Sequence, residues 1–365
     1  MIMQTYQTLH KDFKLNGNSY SIDELKEVAY SLVKEGEPYE KEIGDFLIDW
    51  LNESSSITVY TSGSTGKPKA ISLEKEHMVN SSNATGNFFN LQANDKALLC
   101  LPATFIAGKM MLVRAMVLGL SIDCVAPSSS PMLETSASYD FVAMVPLQFG
   151  NSLNDLDRVK KLIVGGAPVS YKLKKEFLEA SLRTNVYETY GMTETITHIA
   201  VKPLLGALIE SSIDLDVFTT LKNVSVATDD RGCLVIDAPL VSNETIYTND
   251  VVQLTSEKTF KWLGRFDNVI NSGGIKLFPE QIEAKLVSII KHRFFVAGLP
   301  NEELGQKLVL VVEGKQEIAD LKDKLENLGS LKKYEIPKEI FTVDAFVETS
   351  SGKIKRKATL NKVTL

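Results

Sequence analysis

The residues best suited to chemistry stand together in Tyr60-Thr61-Ser62-Gly63-Ser64-Thr65-Gly66-Lys67-Pro68-Lys69. Glycines let a backbone come close to a phosphate and turn its N–H groups toward it. The Ser and Thr hydroxyls add donors, and the lysines add positive charge. A short apolar run, SITVY (56–60), leads into this loop. A Walker A loop would need glycine at 61 and Ser or Thr at 68, but Thr61 and Pro68 stand there. The bland alternative is a solvated turn. The coincidence of so many phosphate-binding features weighs against it.

This run resembles the phosphate loop of the adenylate-forming superfamily, which comprises acyl-CoA synthetases, peptide-synthetase adenylation domains and luciferases. The resemblance continues in order along the chain. Val164-Gly165-Gly166-Ala167-Pro168 resembles the superfamily's nucleotide-binding turn, and Tyr187-Glu188-Thr189-Tyr190-Gly191-Met192-Thr193-Glu194 its adenine and metal motif. Tyr247-Thr248-Asn249-Asp250 occupies the place of the ribose-holding aspartate. Gly264-Arg265-Phe266-Asp267-Asn268 is similar to the hinge, and Ser272-Gly273-Gly274 to the loop beyond it. Ser351-Gly352-Lys353-Ile354-Lys355-Arg356 is similar to the catalytic-lysine motif. The likeness runs from about Ile57 to the last residue.

What the resemblance implies makes physical sense piece by piece. Thr61, Ser62, Gly63, Ser64, Thr65, Gly66, Lys67, Gly165, Gly166, Ala167 and Gly191 would cradle the nucleotide. Tyr190 can stack on adenine, and Asp250 can accept from both ribose hydroxyls. Arg265 adds charge near the nucleotide. Glu194, beside Thr193, can hold a Mg²⁺ that bridges phosphate oxygens. Lys353 would stabilise charge as the substrate carboxylate attacks the α-phosphate. Asp267 is the expected hinge. Taken singly, each residue has an ordinary alternative: core for Tyr190, surface for Glu194, a turn for Asp250, a solvated basic run for Lys353. It is the ordered set that favours function.

Leu101-Pro102-Ala103-Thr104-Phe105-Ile106-Ala107-Gly108, followed by Lys109 to Arg114, resembles the o-succinylbenzoate–CoA ligases of menaquinone biosynthesis, in their short bacterial forms. GKMMLVRAMVLG (108–119) is apolar almost all round, which predicts a buried helix. A buried Arg114 needs a partner. That partner is either an internal Asp or Glu or a second carboxylate on the substrate, which a guanidinium fork suits. Phe105, Ile106, Met110 and Met111 are candidates for the apolar wall. His198 either lines the acyl pocket or is a satisfied structural histidine. The implied reaction is ATP-dependent ligation of a carboxylic acid to coenzyme A, with ATP, Mg²⁺ and coenzyme A as cofactors and co-substrates. A stand-alone adenylation domain loading a carrier protein, and a non-catalytic nucleotide-binding relative, are the alternatives. The presence of Glu194 and Lys353 disfavours the last. The sequence departs from the pattern at Asn249, where glycine is common, and at Val347, where proline is common. Only 59 residues precede Tyr60, so the large domain is expected to be shortened at its start.

The elements that must position these residues alternate. SITVY (56–60), KALLCL (96–101), SIDCVA (121–126), YDFVAMVP (139–146) and KKLIVGG (160–166) read as buried strands. Helical patterns such as 108–119 and 170–182 lie between several of them, so an α/β fold with parallel strands is predicted. From Asn223 the close spacing of NVSVAT, GCLVIDA, ETIYTND, VVQLT and FKWLG predicts an antiparallel or barrel-like section. The predicted organisation is a large multi-sheet N-terminal domain over 1–264, a hinge at 265–268, and a small mobile α+β domain over 269–365 carrying Lys353.

The 365 residues are 44% hydrophobic and 24% charged, ordinary for a globular chain. A net charge of -6 argues against nucleic-acid binding. There is neither an apolar run of membrane-spanning length nor a signal-peptide core, so a cytoplasmic location is expected. Cys100, Cys124 and Cys233 lie far apart in apolar stretches and read as buried thiols. The expected partners are a small-molecule carboxylic acid, ATP and coenzyme A, with a second copy of the chain in a homodimer as a further candidate.

Overall fold

The structure is a computed structural model that describes residues 5–61, 69–180, 182–204, 216–314, 318–348 and 354–363, with Thr61 described in its backbone alone. The first elements are β1 (Lys14–Leu15), α1 (Ile22–Glu35) and α2 (Pro38–Leu51). Ser21 starts α1 with a capping box. Its Oγ accepts from the Glu24 N–H at 3.3 Å, while the Glu24 carboxylate accepts from the Ser21 N–H at 2.7 Å. Proline at the first position starts α2, where its missing N–H is no loss. The pair buries Leu25, Ala29, Phe46, Leu47 and Trp50 in the main core.

Next come β2 (Ser56–Thr61) and β3 (Lys69–Glu74), which pair antiparallel as a separate two-stranded sheet. Ser56–Thr61 is therefore not one of the predicted parallel strands. The reason is connection length: the seven residues between it and Lys69 are too few for the crossover that parallel neighbours need.

The parallel section follows: α3 (Lys75–Phe89), β4 (Lys96–Leu99), α4 (Ile106–Leu118), β5 (Ser121–Cys124), β6 (Tyr139–Met144), α5 (Pro146–Asn151), β7 (Val159–Val164), α6 (Tyr171–Glu179) and β8 (Asn185–Gly191). Strands β5, β4, β6, β7 and β8 lie side by side in that order, all parallel, with β1 added beside β5. The order reverses at β4. The chain winds to one side through β5 and to the other through β6, and such a switch point opens a crevice at the C-terminal ends of the strands. Every residue of α4 from Gly108 to Val117 is buried, as its all-round apolar pattern requires.

The sheet continues antiparallel through β9 (His198–Leu204), β10 (Phe218–Thr220), β11 (Ser225–Thr228), β12 (Cys233–Asp237), β13 (Ile246–Ser256) and β14 (Thr259–Arg265). Among the described residues it has twelve strands, ending in the order β8-β9-β10-β14-β13-β12-β11. The antiparallel section begins at β9, earlier than Asn223. ETIYTND and VVQLT are one strand, not two: Asn249-Asp250 resembles a turn in sequence, but β13 runs through it and takes up the irregularity as a register shift between Val251 and Val252.

A single 3-10 turn, Phe266–Asn268, leads from β14 to a second sheet. Its elements are β15 (Ile270–Ser272), β16 (Ile275–Leu277), α7 (Pro279–Leu286), β17 (Phe294–Asn301), β18 (Gly305–Glu313), α8 (Ile318–Glu326), β19 (Glu339–Val343) and α9 (Arg356–Leu360). The order is β16-β15-β18-β17, with β19 parallel on β18. Arg356 anchors the start of α9 through two bonds to the Glu283 carboxylate at 2.7 and 2.9 Å. No helix among the described residues is long and apolar enough to cross a membrane.

Candidate active site

A cleft of about 580 Å³ opens where the switch point places it. Leu101 follows β4, Met144 ends β6 and Val145 follows it, Gly165 and Gly166 follow β7, and Thr189 and Gly191 end β8; all line it. Phe105, Ile106 and Arg114 come from α4 and its cap. Thr193, Glu194, Ile196 and Thr197 come from the turn between β8 and β9, His198 from the start of β9, and Arg265 from the end of β14.

The nucleotide side needs backbone without side chains. A Cβ on Gly165 would stand 2.3 Å from Thr189 Oγ1, so any larger residue there would displace the Thr189 side chain. Gly166 has φ +82°, which glycine adopts without strain. Glu188 ties this turn to β8. Its carboxylate accepts from the Val169 N–H at 3.1 Å and pairs with Lys174 at 3.0 Å and Lys202 at 3.2 Å. Ala167 is exposed just outside the cleft wall.

Asp250 and Arg265 face each other across β13 and β14, with an Nη1–Oδ1 distance of 3.5 Å. The Tyr190 hydroxyl donates to Asp250 Oδ2 at 2.7 Å and the Trp262 indole donates to Oδ1 at 3.2 Å. Burial, and then the Asp250 charge, raise the Tyr190 pKa well above the ordinary tyrosine value. Each Asp250 oxygen has one short donor and retains acceptor capacity for a ribose hydroxyl. Neither Asp250 nor Tyr190 is part of the cleft wall. The Tyr190 ring packs against Phe218 and Phe260, with centroids 5.8 and 5.2 Å away.

Thr193 and Glu194 begin the 3-10 turn Thr193–Thr195, with the Glu194 side chain exposed. Among the described residues no group of three His, Cys, Asp or Glu side chains could hold a metal ion by itself. A single carboxylate on a cleft fits Mg²⁺ shared with phosphate oxygens, since Mg²⁺ takes one or two protein carboxylates and keeps its other positions for substrate and water.

On the acyl side Arg114 is 2% exposed. Its Nε donates to Thr85 Oγ1 at 3.4 Å, its Nη2 to Thr197 Oγ1 at 3.1 Å, and its Nη1 lies 3.6 Å from Met111 Sδ. Among the described residues no carboxylate pairs with it, so of the two alternatives the internal ion pair finds no partner there. Burial lowers its pKa to about 10, which leaves it charged at neutral pH. His198 is buried beside it, 3.3 Å from Thr197 Oγ1 and 3.5 Å from Thr85 Oγ1. Burial, and then the Arg114 charge, depress its pKa to about 3, so it is neutral. Phe105 stands exposed at the mouth. Met110 and Met111, candidates for the acyl wall, are fully buried one helical turn before Arg114 on its own side of α4, with the Met111 sulfur against Arg114 Nη1.

The turn that delivers Thr197 is strained. Ile196 has φ 65° and ψ -65°, and the Thr197 N–H donates to Thr195 O at 2.7 Å. This is the rare form of γ-turn, and a branched residue there costs roughly 1–3 kcal/mol. Its surroundings over-determine it. Thr195 Oγ1 accepts from the Met192 N–H at 3.0 Å and donates to Thr197 O at 2.7 Å. Gly191 makes room, since a Cβ there would lie 2.2 Å from Thr197 O.

Ser62, Gly63, Ser64, Thr65, Gly66, Lys67 and Lys353 lie outside the described residues, as does the side chain of Thr61. Tyr60, at the end of β2, lines the cleft, so this strand carries the chain to the cleft edge. Asp267 sits in the turn between the two sheets, 3.7 Å from Arg265. Thr85, Thr197 and Trp262 escaped the sequence reading. Thr85 is one of several small polar residues on α3, and no local pattern links it to an arginine 29 positions away.

Comparison with known proteins gives consistent matches. A family model described as AMP-binding enzyme matches residues 14–216. A 2-succinylbenzoate–CoA ligase of Bacillus cereus is 25% identical, over 84% of this chain and 70% of its own. A solved acyl-CoA synthetase (AMP-forming)/AMP-acid ligase II-like protein from Dyadobacter fermentans is 35% identical with a TM-score of 0.60, covering 92% of this chain and 98% of that one. The o-succinylbenzoate coenzyme A synthetase of Bacillus subtilis, solved with AMP, has the same fold at 22% identity and a TM-score of 0.69, over 82% of this chain and 68% of that one.

Proposed function

We propose, because this chain belongs to the AMP-binding enzyme family of AMP-forming ligases, that it joins 2-succinylbenzoate to coenzyme A through an acyl-adenylate. The carrying observation is Arg114, a buried cation in the cleft wall whose described partners are all neutral. An acid with two carboxylates can be activated at one and supply the missing anion with the other. Benzoate or a fatty acid would leave the guanidinium unpaired, which is costly in a buried site.

In the first step the acid's carboxylate oxygen attacks the α-phosphorus of ATP and pyrophosphate leaves. In the second the coenzyme A sulfur attacks the acyl carbonyl and AMP leaves. The carboxylate is its own nucleophile, so the protein supplies position and electrostatics. Gly165 and Gly166 let backbone approach the nucleotide, and Asp250, fixed by Tyr190 and Trp262, accepts from the ribose hydroxyls. Glu194 would hold Mg²⁺, which would supply positive charge to the phosphates of the nucleotide. Lys353 supplies positive charge at the attacked phosphate.

The test is pyrophosphate release with succinylbenzoate and with benzoylpropionate, the same acid without its ring carboxylate. Wild type should prefer the dicarboxylate strongly and form its thioester with free coenzyme A. Removing one partner of a buried ion pair costs about 3–5 kcal/mol, so Arg114→Leu should cut use of succinylbenzoate on the order of 100-fold or more and narrow the preference. Equal use of both acids by wild type would overturn the substrate assignment.

A further inference from the structure

The strained turn at Ile196 joins the two halves of the cleft, with Glu194 two residues before it and Thr197 directly after. Thr197 Oγ1 lies 3.1 Å from Arg114 Nη2, 3.3 Å from His198 Nδ1 and 3.4 Å from Ser81 Oγ. A guanidinium can only donate, so the Thr197 oxygen accepts from Arg114. Its own hydrogen is then available to His198 Nδ1, provided that nitrogen carries no proton. The other ring nitrogen faces Thr85 Oγ1 at 3.5 Å. The Thr85 hydroxyl already donates to Ser81 O at 2.9 Å, so toward Arg114 Nε and His198 Nε2 it can only accept. One arrangement satisfies every group: a neutral imidazole with its proton on Nε2. In it, two of the five N–H donors of Arg114 are bound by hydroxyls, and those left on Nη1 and Nη2 have no described acceptor stronger than the Met111 sulfur.

We propose that Thr197 is a positioning residue that sets the preference for a dicarboxylic acid: oriented by His198 and by the turn at Ile196, its hydroxyl grips one edge of the Arg114 guanidinium and leaves the remaining donors for the substrate's second carboxylate. The inference rests on the function proposed above and assigns its specificity to a residue that acts through Arg114. Thr197→Val keeps the shape of the side chain and removes the hydroxyl, whereas Thr197→Ser keeps the hydroxyl.

The experiment measures kcat and KM for pyrophosphate release with succinylbenzoate and benzoylpropionate in wild type and both variants. A hydrogen bond to a charged group is worth about 1.5–3 kcal/mol, so in Thr197→Val the preference for the dicarboxylate should fall roughly 10- to 100-fold, mainly through KM, and Thr197→Ser should restore most of it. A preference unchanged in Thr197→Val, or lost equally in Thr197→Ser, overturns the positioning role and leaves the function standing. A wild type without preference overturns both. Nitrogen-15 NMR of His198 in the wild-type protein gives a second readout that does not depend on the variants folding. It should show Nε2 protonated and Nδ1 bare, and the opposite tautomer overturns the proposal.

Discussion

His198 shows how one residue's surroundings fix both its chemistry and a measurable property of the protein. Its folded-state pKa is about 3 and its ordinary value 6.5, the drop caused by burial and then by Arg114. As pH falls, the unfolded chain takes up the proton first. Stability is therefore lost below about 6.5 and keeps falling until about 3, at up to about 1.4 kcal/mol per pH unit. Urea unfolding of wild type and His198→Gln at several pH values between these limits should show the extra slope in wild type alone. Identical slopes would mean that His198 is not held neutral. At this scale the sequence was half legible. Arg114 stood out because a charge in an all-apolar helix must meet something. What it meets, Thr85 and Thr197, could not be read, because ordinary hydroxyl residues gain their meaning only when two distant elements converge.

The elements reveal a structural residue of the same kind. Lys75 begins α3, and its ammonium is fully buried against the C-terminal end of α2, donating to Trp50 O at 2.8 Å and to Asn52 O and Oδ1 at 3.0 Å. A cation there meets the negative end of the helix dipole and the last carbonyls, which have no partner within the helix. Burial lowers the Lys75 pKa, and the charge of Asp49 opposes that shift. Lys75→Met keeps much of the bulk but leaves these acceptors without a donor. It should lower unfolding stability by about 2–4 kcal/mol, read from the urea midpoint, with little effect on KM for ATP. A loss no larger than that of an exposed lysine would refute the capping role. Nothing in LEKEH separates Lys75 from a surface lysine. Periodicity, by contrast, made α4 and the parallel strands readable. It misled at Ser56–Thr61, where strand length and apolarity were right but the partner depended on the length of the connection that follows.

On the scale of the whole molecule the candidate groups are divided between two sheets. Asp250 is on the twelve-stranded one and Glu194 and Arg114 are on a turn and a helix between its strands, whereas the motif containing Lys353 lies beyond β19 of the other. The connection is the short turn at Phe266–Asn268. In the described arrangement α7 leans on β14, where Gln281 Nε2 donates to Trp262 O at 3.0 Å. Such a hydrogen bond has a net worth of only about 0.5–1.5 kcal/mol, little resistance to rotation of the smaller unit. We propose that Asp267 is where this rotation occurs, since hinges are a few residues at element ends that absorb the backbone change. Lys353 is then brought to the phosphate for the first step and withdrawn for the second, and two substitutions should fail in opposite ways. Lys353→Ala should lose most adenylation yet still form thioester when given the acyl-adenylate ready made. Asp267→Pro locks φ near -65° and should retain adenylation while thioester formation from supplied acyl-adenylate falls roughly tenfold or more. Single-turnover assays of the two half-reactions measure both. If either variant slows both halves by the same factor, its group is part of the general scaffold and the division of labour between the two units is wrong.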